Sequence, residues 1–107
     1  MQPILVLTTA DSPELAHRIA SALVEAGEAA CVNIVSGVRS IYRWEGKTCD
    51  EAELLLLIKS TAQRYEEVRA RVRQLHTYKI PELIALPITA GDPDYLAWIM
   101  AEVTKDE

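Results

Sequence analysis

His76, Tyr78, Lys79 and Glu82 fall within one short span around Pro81, and each is a type that serves as metal ligand, proton carrier or hydrogen-bond partner. A structural account fits the same residues. His76 follows Leu75 in the last turn of a predicted helix, where the helix dipole favours an imidazolium, and Tyr78 can simply pack ahead of Pro81. Glu53 and Lys59 form a second group. They stand an even number of residues apart on a predicted strand, so they share a face and flank Leu55 and Leu57. Such charges are the solvated rim of a buried strip, partners for charges on another subunit, or ligand contacts, and the residue pattern leaves all three open. Cys31 alternates with Asn33 and Val35 in an apolar strand, the usual setting of a small buried hydrophobe. Cys49, near a turn, is expected to meet solvent. With no CxxC pair and no histidine at close spacing, the two cysteines suggest neither a disulfide framework nor a zinc site, and both are expected as free thiols.

The elements that must position these groups follow one another regularly. An apolar β run covers Ile4 to Thr8, after which Ser12 serves as N-cap and Pro13 occupies the first helical position, where a missing N–H costs nothing. Leu15, Ala16, Ile19, Ala20 and Leu23 mark one apolar helix face, and Gly27 closes the helix. Ala29 to Trp44 is strand-like with a break at Ser36 and Gly37 that suits a bulge. Thr48 to Ser60 is its hairpin partner across Glu45 and Gly46. Ser60 with Gln63 matches a capping box, and Tyr65, Val68, Val72 and Leu75 predict the second helix. Pro81 to Ile88 reads as a further short strand. Gly91 ends it, and Asp92 with Pro93 opens a third helix with Leu96, Ile99, Met100 and Val103 on its buried side. The order β-α-β-β-α-β with an added C-terminal helix is the α+β, split βαβ, ferredoxin-like plan, with two helices over one face of an antiparallel sheet.

The hairpin is long for the chain that carries it. At ~3.3 Å per residue, Lys47 to Lys59 run straight would reach roughly 40 Å, against a radius of gyration near ~13 Å for a chain of this size. The arm therefore bends or leaves the body. Its second strand is apolar on both faces, with Leu55 and Leu57 pointing one way and Leu54, Leu56 and Ile58 the other, while two helices can cover only one. The bare face calls for another subunit, and a trimer packed about a central axis would bury it and protect a strand edge, with Trp44 at the arm's tip as an intersubunit contact.

Composition narrows the partners. The 107 residues, 50% hydrophobic and 25% charged, suit a single domain over residues 1–107. A formal net charge of −5 with scattered Lys and Arg argues against nucleic acid. No segment approaches the ~20 apolar residues of a membrane helix, and the N-terminal run lacks the length and basic leader of a signal peptide, so a cytoplasmic protein is expected. An enzyme is not expected either: there is no glycine-rich phosphate loop, no Ser-His-Asp style set and no metal-ligand triad.

Five stretches in register, Ala30 to Val35, Ser40 to Lys47, Glu53 to Thr61, His76 to Ile88 and Gly91 to Ile99, resemble the divalent-cation tolerance (CutA) family over nearly the whole chain. The resemblance implies a ferredoxin-like homotrimer related in architecture to the PII signalling proteins, linked to tolerance of copper and other divalent metals, and without an established reaction. Some family members carry copper ligands that include a cysteine at the end of the first strand and paired histidines. Here Thr8 stands at the cysteine position and Leu75 at the first histidine, and Thr77 replaces the proline that usually follows the second. Only His76 matches. A lone imidazole implies modest copper(II) affinity, helped by Glu82 or by a neighbouring subunit, with no thiolate to hold copper(I). No cofactor is required on this reading. Tyr78, Glu82, Lys59, Glu53, Trp44 and Cys31 remain candidates for an intersubunit cleft or ligand contact, and a PII-like sensor of small molecules or anions is the second reading.

Overall fold

The computed structural model describes residues 1–104. Its elements are β1 (Pro3–Ala10), α1 (Pro13–Glu25), β2 (Cys31–Trp44), β3 (Lys47–Thr61), α2 (Tyr65–Leu75), β4 (Ile84–Pro87) and α3 (Pro93–Val103). The strands form one antiparallel sheet in the order β2-β3-β1-β4, which is the ferredoxin-like arrangement expected from the element order.

Local chemistry explains most boundaries. Ser12 Oγ accepts the Leu15 N–H at 3.1 Å, and Asp92 accepts the Tyr95 N–H at 3.1 Å, so each Pro-led helix starts from a side-chain cap. All five apolar residues named for α1 are buried. Together with Ile4, Val6, Leu56, Ile58, Val68 and Val72 they form the main core between α1, α2 and the inner face of the sheet. The pairing of β2 with β3 shifts between Val35 and Val38, where Gly37 has φ +80° and supplies the left-handed residue a bulge needs. At the tip Glu45 and Gly46 have φ +49° and +77°, the two positive angles of a type I′ hairpin turn.

Two expectations need correction. Ser60 does not open a capping box: it is buried in β3, its hydroxyl donates to the Glu28 carbonyl at 2.6 Å, and α2 follows a 3₁₀ turn, Ala62–Arg64, with no side-chain cap. A buried carbonyl without water costs more if left unpaired than a solvated helix end does, which decides where the hydroxyl goes. The fourth strand is also shorter than the Pro81 to Ile88 run, because Pro81, Glu82 and Leu83 belong to the loop that crosses the end of β1.

The hairpin leaves the body. The molecule measures 46 × 26 × 22 Å, and residues 41–48 at the arm's end are exposed. On the outer face of the sheet the register aligns Cys31, Lys59, Leu5 and Leu86 in one row and Asn33, Leu57, Leu7 and Ile84 in the next. Val35, Leu55 and Thr9 form a third row. Here α3 does not join the main core. Ile99 and Val103 are buried with Ala30 as a separate small cluster, and Tyr95 stands beside Cys31.

Candidate functional site

Beyond the bulge the outer face carries Ser40, Tyr42 and Trp44 on β2 opposite Glu51, Cys49 and Lys47 on β3, with Glu53 next along β3. The loop after α2 folds over this end of the sheet. Between arm and loop lies an open cleft of about 710 Å³, lined by Thr9, Ser40, Tyr42, Trp44, Glu53 and the segment Tyr78 to Glu82.

His76 anchors that loop. It caps α2 with an extended backbone, its own N–H returning to Val72 O at 2.8 Å. Nε2 lies 2.6 Å from the Thr9 carbonyl and Nδ1 lies 3.1 Å from the Tyr78 backbone nitrogen. The carbonyl can only accept and the amide can only donate, so this geometry takes the neutral ring with its proton on Nε2. The imidazole rests against the Tyr78 ring, centroids 4.6 Å apart. From this position Tyr78 Oη donates to Glu53 Oε2 at 2.6 Å. Burial first, then the hydrogen bond to Glu53 and its charge, push the Tyr78 phenol well above the usual tyrosine range. Thr8 completes the clamp, its buried hydroxyl donating to the Glu82 carbonyl at 2.7 Å.

Glu53 is only 6% exposed, so the solvated-rim reading of this carboxylate gives way to a buried one. Tyr78 folds over it, and folding of the loop was not visible in strand periodicity. Trp44 and Glu82 line the same cleft, Trp44 remaining 40% exposed. Lys59 and Cys31 do not belong here. They stand together at the opposite end of the outer face, where Lys59 Nζ donates to Asn33 Oδ1 and approaches Cys31 Sγ to 4.0 Å. Burial and the neighbouring Cys31 thiol raise the Tyr95 phenol at that end. Both cysteines are free thiols of intermediate exposure, so Cys31 is less buried and Cys49 less open than their strand positions suggest.

Tyr42, Thr9 and Ile80 are cleft residues that the sequence reading did not name. For Tyr42 the signal was present: it alternates with Ser40 and Trp44, so it shares their face. Its hydroxyl bonds the Glu51 carboxylate, and that bond, with a smaller contribution from burial, pushes the phenol up to about 12.

No group of three or more His, Cys, Asp or Glu side chains able to hold a metal ion occurs among the described residues. Both His76 nitrogens are engaged, so an ion reaching this imidazole would have to displace the Tyr78 N–H from Nδ1 or the Thr9 carbonyl from Nε2. No helix among the described residues is long and apolar enough to cross a membrane.

The family model described as CutA1 divalent ion tolerance protein matches residues 4–102. A divalent-cation tolerance protein CutA from Thermus thermophilus is 50% identical over 95 residues, which span 89% of this chain and 92% of that relative. A chloroplastic CutA protein of Arabidopsis thaliana is 43% identical over 96 residues, 90% of this chain but 53% of the plant sequence. In structure, the Cut A1 protein from Thermus thermophilus superposes with a TM-score of 0.93 at 47% identity, covering 95% of this chain and 99% of that one.

Proposed function

The chain belongs to the CutA1 divalent ion tolerance family, and from that membership we propose that it serves divalent-cation tolerance as a homotrimer, holding copper or a related ion weakly and catalysing nothing. The observation that carries the assembly is the outer face of the sheet. Leu5, Leu7, Leu55 and Leu57 lie only partly covered across its centre, and Val35, Ile84 and Leu86 are exposed around them at 42%, 51% and 43%. Contiguous apolar surface of this kind favours a partner, and further copies of the same face provide one.

Assembly also bears on the metal. One chain presents no three-ligand group among its described residues, so a tight site has to draw ligands from more than one copy. His76 is the imidazole proposed for it, with the Glu82 carboxylate near by on the same loop. Because the ring must surrender a hydrogen bond, worth about 1 kcal/mol net, the affinity is modest. No resident cofactor is needed, and the family's name denotes tolerance and not a reaction. The matched family and relatives lend no support to a PII-like sensor. The cytoplasm is the proposed location; the Arabidopsis relative is named for the chloroplast, so fractionation of the source cells is the check.

Copper(II) titrated by calorimetry into the parent and into His76→Ala, at pH 7 and at pH 5, tests the metal reading. The parent binds copper ahead of zinc, cobalt or nickel at pH 7 and loses it at pH 5, since a protonated imidazole has no lone pair to give, and the alanine variant binds at least tenfold more weakly. Equal affinity in parent and variant sinks the role of His76.

A further inference from the structure

The polar group that the fold explains least is Glu53. It is 6% exposed, it accepts one hydrogen bond, from Tyr78 to Oε2, and Oε1 has no donor among the described residues. No Lys, Arg or His side chain of the described chain lies within ion-pair distance of it. Lys79 lines the same cleft without reaching it. The Glu28 carboxylate, by contrast, is neutralised within the chain by a two-pronged pair with Arg71 at 3.0 and 3.1 Å. A buried carboxylate without a cation is costly, and it persists where something outside the chain supplies the charge.

The walls of the cleft indicate what that something is. Tyr78 bonds the carboxylate and Tyr42 bonds Glu51 two positions along β3, while Trp44, opposite Lys47, lines the outer end of the same cleft and Ile41 and Ile80 add apolar surface. Tyr78 is held by its bond to Glu53 and by the His76 ring, and Tyr42 by its bond to Glu51, so two of the three rings are tied in place. A hydrated divalent metal gains little from such walls. It needs several oxygen or nitrogen ligands, and no group of three is available among the described residues. A diffuse organic cation gains on both counts, since the carboxylate pairs with its N–H groups while aromatic faces attract its charge. A volume of about 710 Å³ suits a small molecule or the end of a long side chain.

We propose that the cleft between the hairpin arm and the Tyr78 to Glu82 loop is a receptor for an alkylammonium or guanidinium head, with Glu53 as counter-ion and Tyr42 and Tyr78 as its aromatic walls. Two sources carry that chemistry: a free amine or guanidine metabolite, and a Lys or Arg side chain of a second copy of this chain. The site is separate from the metal reading, because it uses neither ring nitrogen of His76. Unchanged copper affinity in a Glu53 variant leaves it intact.

The test is calorimetric titration of the full chain, at constant ionic strength, with n-butylammonium, n-butylguanidinium and, as the neutral control, n-butanol. The parent binds the two cations and not the alcohol. Glu53→Gln keeps an acceptor for the Tyr78 hydroxyl, so the loop stays closed, and it weakens the cations at least tenfold; Tyr42→Leu weakens them several-fold. If no free cation binds the parent but Glu53→Gln raises the subunit dissociation constant at least tenfold, the head comes from a second copy. The proposal is overturned if parent and Glu53→Gln bind the cations equally, or if neither cation binding nor subunit association depends on Glu53.

Discussion

The two ends of the outer face of β3 solve the same problem in opposite ways. At one end Lys59 is satisfied within the chain by Asn33, beside Cys31 and under the reach of Tyr95 from α3. At the other end Glu53 is more deeply buried, yet it meets one phenol and no cation, below a cleft that stays open. Six positions separate them along one strand, about 20 Å at ~3.3 Å per residue. The difference lies in what each end holds: the neighbouring strand β2 supplies Asn33 to Lys59 beside the packed helix α3, whereas a loop pinned by His76 leaves room over Glu53 for a partner from elsewhere. A self-contained end stabilises the fold, and an incomplete end is where function is expected.

Removing the hydroxyl that supports the incomplete end sharpens the contrast most. Tyr78→Phe is expected to cost about 1–2 kcal/mol, toward the lower part of the range for a bond to a charged group because Tyr78 is itself partly exposed, while Lys59→Met at the other end costs under about 1 kcal/mol. Urea unfolding of the two variants measures both, and equal losses would erase the distinction. His76→Ala follows in size. It strips the loop of the bonds to Thr9 and Tyr78, about 1 kcal/mol in sum once solvation of the freed groups is counted, and hydrogen exchange of the Tyr78 amide should rise with it.

Alkaline titration probes the aromatic walls, along with Tyr95, whose phenol is raised at the other end of the face. Tyr42 is pushed up to about 12 and Tyr78 is raised further in the same direction, so both keep their protons where a free phenol, near ~10, has lost its own. The folded chain then holds more protons than the unfolded one. Stability contributed by these phenols is complete below pH ~10 and falls as pH rises through their folded values. Absorbance at the phenolate band should show Tyr42 and Tyr78 ionising late, with Tyr42→Phe deleting one late step; ionisation of all tyrosines together near pH 10 would contradict this. The smallest effect concerns the tip. Glu45 holds φ +49°, which asparagine tolerates better, so Glu45→Asn is expected to stabilise by about 0.5 kcal/mol without altering the cleft.

Much of this architecture was readable from residues whose effects are local. Ser12 and Pro13 start α1, the spacing of Leu15 to Leu23 names its buried face, Gly37 marks the bulge and Glu45 with Gly46 the turn, because each acts through its immediate neighbours. Ser60 misled because its hydroxyl answers a carbonyl at Glu28, far away in sequence. Of the candidate residues, Tyr78, Glu82, Glu53 and Trp44 do converge, but Lys59 and Cys31 lie elsewhere, and strand parity alone could not separate them. Parity assigns a face. Which end of the face closes depends on the loop anchored by His76 and on where α3 docks, and both are contacts between segments distant along the chain.

The reading of the outer face as an interface presupposes an assembly. Native mass spectrometry of the intact chain is the most direct test: the account predicts a principal species of three copies of the 11.9 kDa chain, persisting on dilution, and a stable monomer would contradict it.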